Sequence, residues 1–350
     1  MPDLSTTPVE DPAAAEALAR RLDVQGSHPA ERAELTAHLA ELCRREHGIR
    51  ERYLLRFVGL LTDDAPVVRG EAAVGVLVCD EQLRHVDRVA RLLDDPKPGV
   101  RLQAVNLLAP LGREELVAPL TRRLEDSDPL VRVAAASALC AGLGEGSAVG
   151  PTLRVLLAAV DERLSRFDAL LALARARAPQ AERAASQILS AWLGNHFDKI
   201  AAAAVLAALG KQEGQAHLLK RAVSGGPERP LAVELCGELA VPGAAELLAR
   251  ISADATDPLR GTALRARASL GDAEGLATCE RILRSEGEDS DVRCDAAEGL
   301  LLAGAGREAL EAAAAGQGEV GRVARTALEL FGRPVAELRL YLPLSGEQTE

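Results

Sequence analysis

The stretch DDPKPGVRLQAVNLLAPLG, Asp94–Gly112, decides the fold. It opens as a turn rich in Asp and Pro, runs on with apolar residues at helical spacing, and stops on glycine. Asp at a helix start can accept hydrogen bonds from the first free backbone N–H groups. Proline suits the first helical turn, because it lacks an N–H that would be unpaired there. Glycine supplies the left-handed residue of a C-cap.

The unit recurs. Arg101 is followed by Ala104 three places on and Gly112 eleven places on. The same register holds for Arg260, Ala263 and Gly271, for Arg293, Ala296 and Gly304, and for Lys199, Ala202 and Gly210. Arg69 has Ala72 but Asp80 at the glycine place, and Arg132 with Ala135 reaches its glycine one place late, at Gly144. Arg166 with Ala169 and Arg229 with Ala232 keep the alanine, and Gly321, Ala324 and Gly332 form the last copy. Nine anchors follow one another at steps of 28–34 residues. A period in that range is the mark of a stacked repeat array.

Each unit reads as two helices. The first is amphipathic, as in EQLRHVDRVARLLDD, where Leu83, Val86, Val89, Ala90 and Leu93 share a face. The second is apolar over more of its circumference, as suits a helix held between neighbours. Asp95-Pro96 with Val100-Arg101, Asp128-Pro129 with Val131-Arg132, Asp257-Pro258-Leu259-Arg260 and Asp291-Val292-Arg293 resemble HEAT repeats of the short bacterial type. The resemblance covers about residues 49–332 and implies an all-α, right-handed α-solenoid superhelix of about nine helix pairs. It further implies a ladder in which turn Asp residues and the helix arginines Arg69, Arg101, Arg132, Arg260 and Arg293 tie adjacent repeats. A planar guanidinium can serve a carboxylate and carbonyls of two turns. The ladder is expected to be interrupted at Lys199, Arg229 and Gly321. Residues 1–10 read as a flexible N-terminus and 11–48 as two capping helices without the Asp–Arg signature. Residues 333–350 read as a C-terminal extension and tail, in which ELRLYL alternates as a short extended segment and PLSGEQTE as a frayed end, with docking of Leu338, Leu340 and Leu342 on a partner as the alternative.

Composition excludes several classes. The hydrophobic fraction is 48%, yet aromatics are only 2%, so the core is built of Ala, Leu and Val, and little remains for base stacking. The formal net charge is −11, which argues against nucleic acid, whose binders gather basic surfaces. Arg supplies nearly all the positive charge, a bias of high-GC bacterial genomes. No apolar run of transmembrane length and no signal core appear, so a cytoplasmic protein without membrane insertion is expected. The six cysteines lack CxxC spacing and read as buried free thiols, which leaves no expected metal site.

No motif of catalysis stands out. GLGEGSAVG (142–150) follows no strand and precedes no Lys-Ser or Lys-Thr, so it reads as a loop. EGEDSD (286–291) lacks the Gly and Glu of a calcium loop and reads as a helix cap. The expectation is therefore no catalytic residue, no cofactor and no enzyme.

The resemblance implies that the second helices line a groove. Counting from each ladder position, the second, fifth and ninth residues face it by helical geometry. These are Glu71, Gln103 and Asn106 early; Ala134, Ser137, Ala141, Ala201, Ala204 and Ala208 in the middle; and Glu234, Glu238, Thr262, Arg265, Asp295 and Glu298 late. The small central residues admit two readings: close approach of a bound peptide or helix, or tight curvature. The function expected is a scaffold or adaptor for a protein or peptide partner. The alternatives are an enzyme or enzyme subunit of the HEAT-like lyase type and a nucleic-acid binder.

Overall fold

Wherever proline opens a unit, a helix begins. Pro29, Pro66, Pro98 and Pro129 stand at the first positions of α2 (Pro29–Arg45), α4 (Pro66–Cys79), α6 (Pro98–Leu108) and α8 (Pro129–Gly142). The first helices of these pairs are α1 (Pro12–Leu22), α3 (Arg50–Leu60), α5 (Val86–Ala90) and α7 (Glu114–Arg122). The computed structural model describes residues 12–22, 28–80, 82–142, 149–163, 165–316, 318–333 and 338. The N-terminal 1–10 segment, the loop at 143–148 and nearly all of the 334–350 tail lie outside them.

The chain divides into two compact units, 1–139 and 140–350. Unit 2 continues the pairing with α9 (Val149–Glu162), α10 (Arg166–Arg175), α11 (Glu182–Ser190), α12 (His196–Ala208), α13 (Gln212–Val223), α14 (Arg229–Glu238), α15 (Ala244–Ala253), α16 (Arg260–Ser269), α17 (Ala273–Arg284), α18 (Ser290–Ala303), α19 (Arg307–Ala314) and α20 (Gly318–Leu330). In unit 1, α2, α4 and α6 pack on their own first helices, α2 also packs on α4 and α4 on α6; in unit 2, each even helix from α10 to α20 packs on its own first helix and on the next even helix. The architecture is all-α, with no strand among the described residues.

Small residues let the second helices approach closely. A Cβ added at Gly237 in α14 would lie 2.7 Å from the Ala266 methyl of α16. The core runs between the layers and is built mainly of Ala, Leu and Val. In the last repeats Leu264, Cys279, Ile282, Leu300, Leu310 and Val323 form one cluster, and Leu338 of the C-terminal extension, 1% exposed, belongs to it. Gly112 and Gly304 close their helices at φ 60° and 61°, the left-handed backbone expected of them.

One first helix is shorter than its pattern predicts. EQLRHVDRVARLLDD gives a regular helix only at Val86–Ala90, followed by a 3-10 turn at Arg91–Asp94. The buried Asp80 carboxylate accepts the His85 N–H at 2.6 Å and meets its Nδ1 at 3.0 Å. That local bond accompanies a turn at 82–85, with Leu83 at φ 53°, before the helix starts.

The repeats of unit 1 are tied by Arg–Asp bridges. Arg69 donates Nε and Nη2 to Asp95 at 2.7 and 2.8 Å, and Nη1 to the Asp63 carbonyl of its own turn at 2.7 Å. Arg101 repeats this with Asp126 at 2.9 and 2.6 Å and the Asp95 carbonyl at 2.8 Å. Arg132 donates to the Asp126 and Ser127 carbonyls. The same Asp side chains accept from their own turns, Asp95 from the Lys97 N–H and Asp126 from the Asp128 N–H. Asp128 instead caps α8 through the Leu130 and Val131 N–H groups.

Two expectations are corrected. The N-terminal helices do carry the ladder: Arg32 of α2 holds Asp63 through two bonds, at 3.2 and 2.8 Å. Its signal was visible as proline three places before arginine, shared by Pro29–Arg32, Pro66–Arg69, Pro98–Arg101 and Pro129–Arg132. Nor does Arg229 interrupt the ladder. It grips Asp257 with both terminal nitrogens and donates Nε to the Ala222 carbonyl. Pro230 is no obstacle, since the missing N–H falls in the first helical turn.

Unit 2 uses the guanidinium the other way round. Arg229 and Arg260 point Nε at a carbonyl of their own turn, Ala222 and Ser252, and both Nη at the next carboxylate. For Arg260 that carboxylate is Glu288, at 2.6 and 2.9 Å, while Asp289 caps α18. Arg293 donates Nε and Nη2 to the Leu283 carbonyl, and Lys199 donates to Ala191.

Burial alone would raise the Asp63, Asp95, Asp126 and Asp257 carboxyls. Their arginine partners and turn N–H groups outweigh it and hold them below the usual carboxylate range. Their folded values are depressed, so the stability they add is present above the unfolded value, about 4, and is lost as pH falls through the folded one. Urea midpoints are expected to hold from pH 7 to 5 and to drop below pH of about 4. Asp126→Ala strands Arg101, whose side chain is 10% exposed, and should cost on the order of 3 kcal/mol in denaturant unfolding.

Candidate functional site

The face expected to carry function is the exposed side of the second helices. In unit 1, Glu71 is half-buried, and burial pushes its carboxyl above the ordinary value. Gln103 lies across α4: a Cβ added at Gly70 would sit 2.0 Å from its Oε1. Any larger residue at 70 would make the Gln103 amide move aside. Asn106 is exposed, and Ser137 is half-buried with a shielded hydroxyl that finds no partner among the described residues.

Unit 2 brings the late residues together. Arg265 of α16 meets Glu298 at 2.8 Å and Asp295 at 3.2 Å, both on α18. Burial pushes the Arg265 guanidinium down. Asp295, Glu298 and the exposed Glu234 of α14 outweigh that and hold it above its usual value. Glu298 is fully buried, so it serves as an anchor for Arg265 rather than as a surface contact. Asp295 overlies Gly261 as Gln103 overlies Gly70: an added Cβ would come within 1.6 Å of its Oδ2.

Sequence reasoning missed Arg175. It occupies the ninth place of the Arg166 copy and reaches Glu238, the ninth place of the Arg229 copy, at 2.6 and 3.2 Å. The pair belongs to α10 and α14, with α12 packed on both. Ala201 and Ala204 of α12 are fully buried. Ala204 therefore does not face an open groove, and its small size serves packing. Also missed was Trp192, the one tryptophan of the chain, 92% exposed on the turn before α12 beside Leu193 at 78%. WLGNHF (192–197) was the available signal, an apolar pair inside a polar turn.

Residues 86–174 match a family model described as HEAT repeats. This stretch is built of HEAT repeats. No curated protein matches the chain. Among solved structures, the karyopherin Kap121p bound to the extreme C-terminus of the protein phosphatase Cdc14p aligns with a TM-score of 0.44 and 11% identity, over 91% of this chain and 42% of that one. Kap121p bound to RanGTP aligns with a TM-score of 0.44 and 12% identity, over 90% of this chain and 44% of that one. The chain thus spans under half the length of either.

Arginine–carboxylate ties between adjacent repeats also occur outside the matched stretch, at Arg32–Asp63 in unit 1 and Arg260–Glu288 in unit 2. Among the described residues no cluster of three or more His, Cys, Asp and Glu is placed to hold a metal, and no helix is long and apolar enough to cross a membrane.

Ala204→Arg buries a charge where three helices meet. It is expected to lower stability by about 3 kcal/mol or more, seen as loss of the thermal transition or a large drop in its midpoint.

Proposed function

We propose that the chain is a non-enzymatic scaffold that binds a protein or peptide partner along its second-helix face. The observation that carries this reading is the charge array of unit 2: Arg175 with Glu238, and Arg265 with Asp295 and Glu298. Arg175, Glu238, Arg265 and Asp295 come from several repeats and offer charges of both signs, with the buried Glu298 anchoring Arg265. Such an array discriminates partners by complementarity. A HEAT-repeat stack suits the task, since each repeat touches only its neighbours and the surface is long. Glu71, Gln103, Asn106 and Ser137 are the contact positions proposed in unit 1.

The net charge of −11 supports a protein rather than a nucleic-acid partner. The six free cysteines fit a reducing, cytoplasmic setting, and the arginine-rich composition fits a bacterial host.

Glu234→Lys tests the reading, because Glu234 is exposed and the change leaves the core alone. Wild-type protein used as bait in host extract should retain a protein partner. The variant, folded by circular dichroism, should bind it on the order of tenfold more weakly, the effect of losing about 1.4 kcal/mol. Equal retention by both, or recovery of only a small molecule by wild type, counts against the scaffold.

A further inference from the structure

We infer that the Arg175–Glu238 pair is a releasable clamp that holds the middle of unit 2 in a tightly curved state. Packed helices stand about 8–10 Å apart axis to axis, so a flat row of three places the outer two at roughly twice that spacing. α10 and α14 are the outer helices of such a row and α12 is the middle one. Yet Arg175 Nε lies 2.6 Å from Glu238 Oε1, and Arg175 Nη2 lies 3.2 Å from Oε2. The pair draws the C-terminal ends of α10 and α14 together over α12 and favours a lean toward each other.

The sequence of α12 permits that lean. Ala201, Ala202, Ala203 and Ala204 are all fully buried, and Ala207 is 8% exposed. Leucines in these places would hold the neighbours apart. Glu234, one turn before Glu238, acts electrostatically on both Arg175 and Arg265, so the clamp adjoins the next charged pair along the face.

The clamp differs from the ladder in exposure. The Arg175 and Glu238 side chains are 39% and 29% exposed, against 18% and 13% for Arg229 and Asp257. Water and salt reach the clamp first. Exposed ion pairs are weak and screened, whereas sheltered ones persist. Rising ionic strength, or a charged side chain competing for either partner, therefore relaxes the curvature while the ladder keeps the repeats joined. The inference concerns the chain alone and does not depend on the scaffold reading.

Two spin labels carried on a keto amino acid at the exposed positions Gln180 and Ala245 flank α10 and α14 and leave the six cysteines untouched. Pulsed electron–electron resonance on the full chain reads their separation. In wild type it is expected to lengthen by several ångströms from low to high salt. In Glu238→Gln it should already be long at low salt and stay so. If salt leaves the wild-type separation unchanged, or if wild type and Glu238→Gln agree at low salt, the clamp is wrong. Should the variant fail to fold, the wild-type salt series decides by itself.

Discussion

A guanidinium has five N–H donors in one plane, and the stacking of this chain depends on that shape. A helix pair cannot bury its apolar faces alone, so it needs a neighbour in a defined register. The buried faces of Ala and Leu define register poorly, because apolar contacts are non-directional. Arginines at the start of second helices supply direction. Arg69, Arg101, Arg229 and Arg260 each bond a backbone carbonyl of their own repeat and the carboxylate of the next, so these turns cannot slide without breaking several charge-assisted bonds. Arg101, with Asp126 on one side and the Asp95 carbonyl on the other, shows the arrangement at its most buried.

The carboxylate side is equally constrained. Asp95 and Asp126 accept a turn N–H as well as the arginine, so one group shapes the loop and joins the repeats. A neutral group could shape the loop but would leave the arginine charge uncompensated. This double duty is why the turns are rich in Asp. It also accounts for the two modes of attachment. Unit 1 presents the Nε and Nη2 edge to Asp, whereas Arg229 and Arg260 of unit 2 present both Nη, which suits a carboxylate standing beyond the tip of the side chain.

The surface face follows different physics. Here the small residues of α12 bring outer helices together, and partly exposed charges such as Arg175 and Glu238 respond to that closeness. Of the two readings open to the alanines, curvature is the one the burial of Ala204 favours. Charges at the second, fifth and ninth places of the late repeats were legible in the sequence as a face. Their pairing was not, since Arg175 and Glu238 are 63 residues apart.

The sequence by itself determined the repeat, its two-helix unit, the glycine cap at Gly112, and Arg69, Arg101 and Arg260 as ties between repeats, while Arg32 and Arg229 joined the ladder unforeseen and, among the described residues, Arg132 and Arg293 took only carbonyls. The features so determined depend on local backbone chemistry and on helical spacing, both written into a few consecutive residues. Only the tertiary structure decided which carboxylate each arginine takes. Asp126 rather than Asp128, and Glu288 rather than Asp291, are chosen by distance across two turns, and several acids in each turn were eligible. It also decided that Glu298 and Ala204 are buried while Asn106 and Glu234 are not. Helical geometry places all four on similar faces. Their exposure depends on how closely neighbouring helices lean together, and no single helix encodes that.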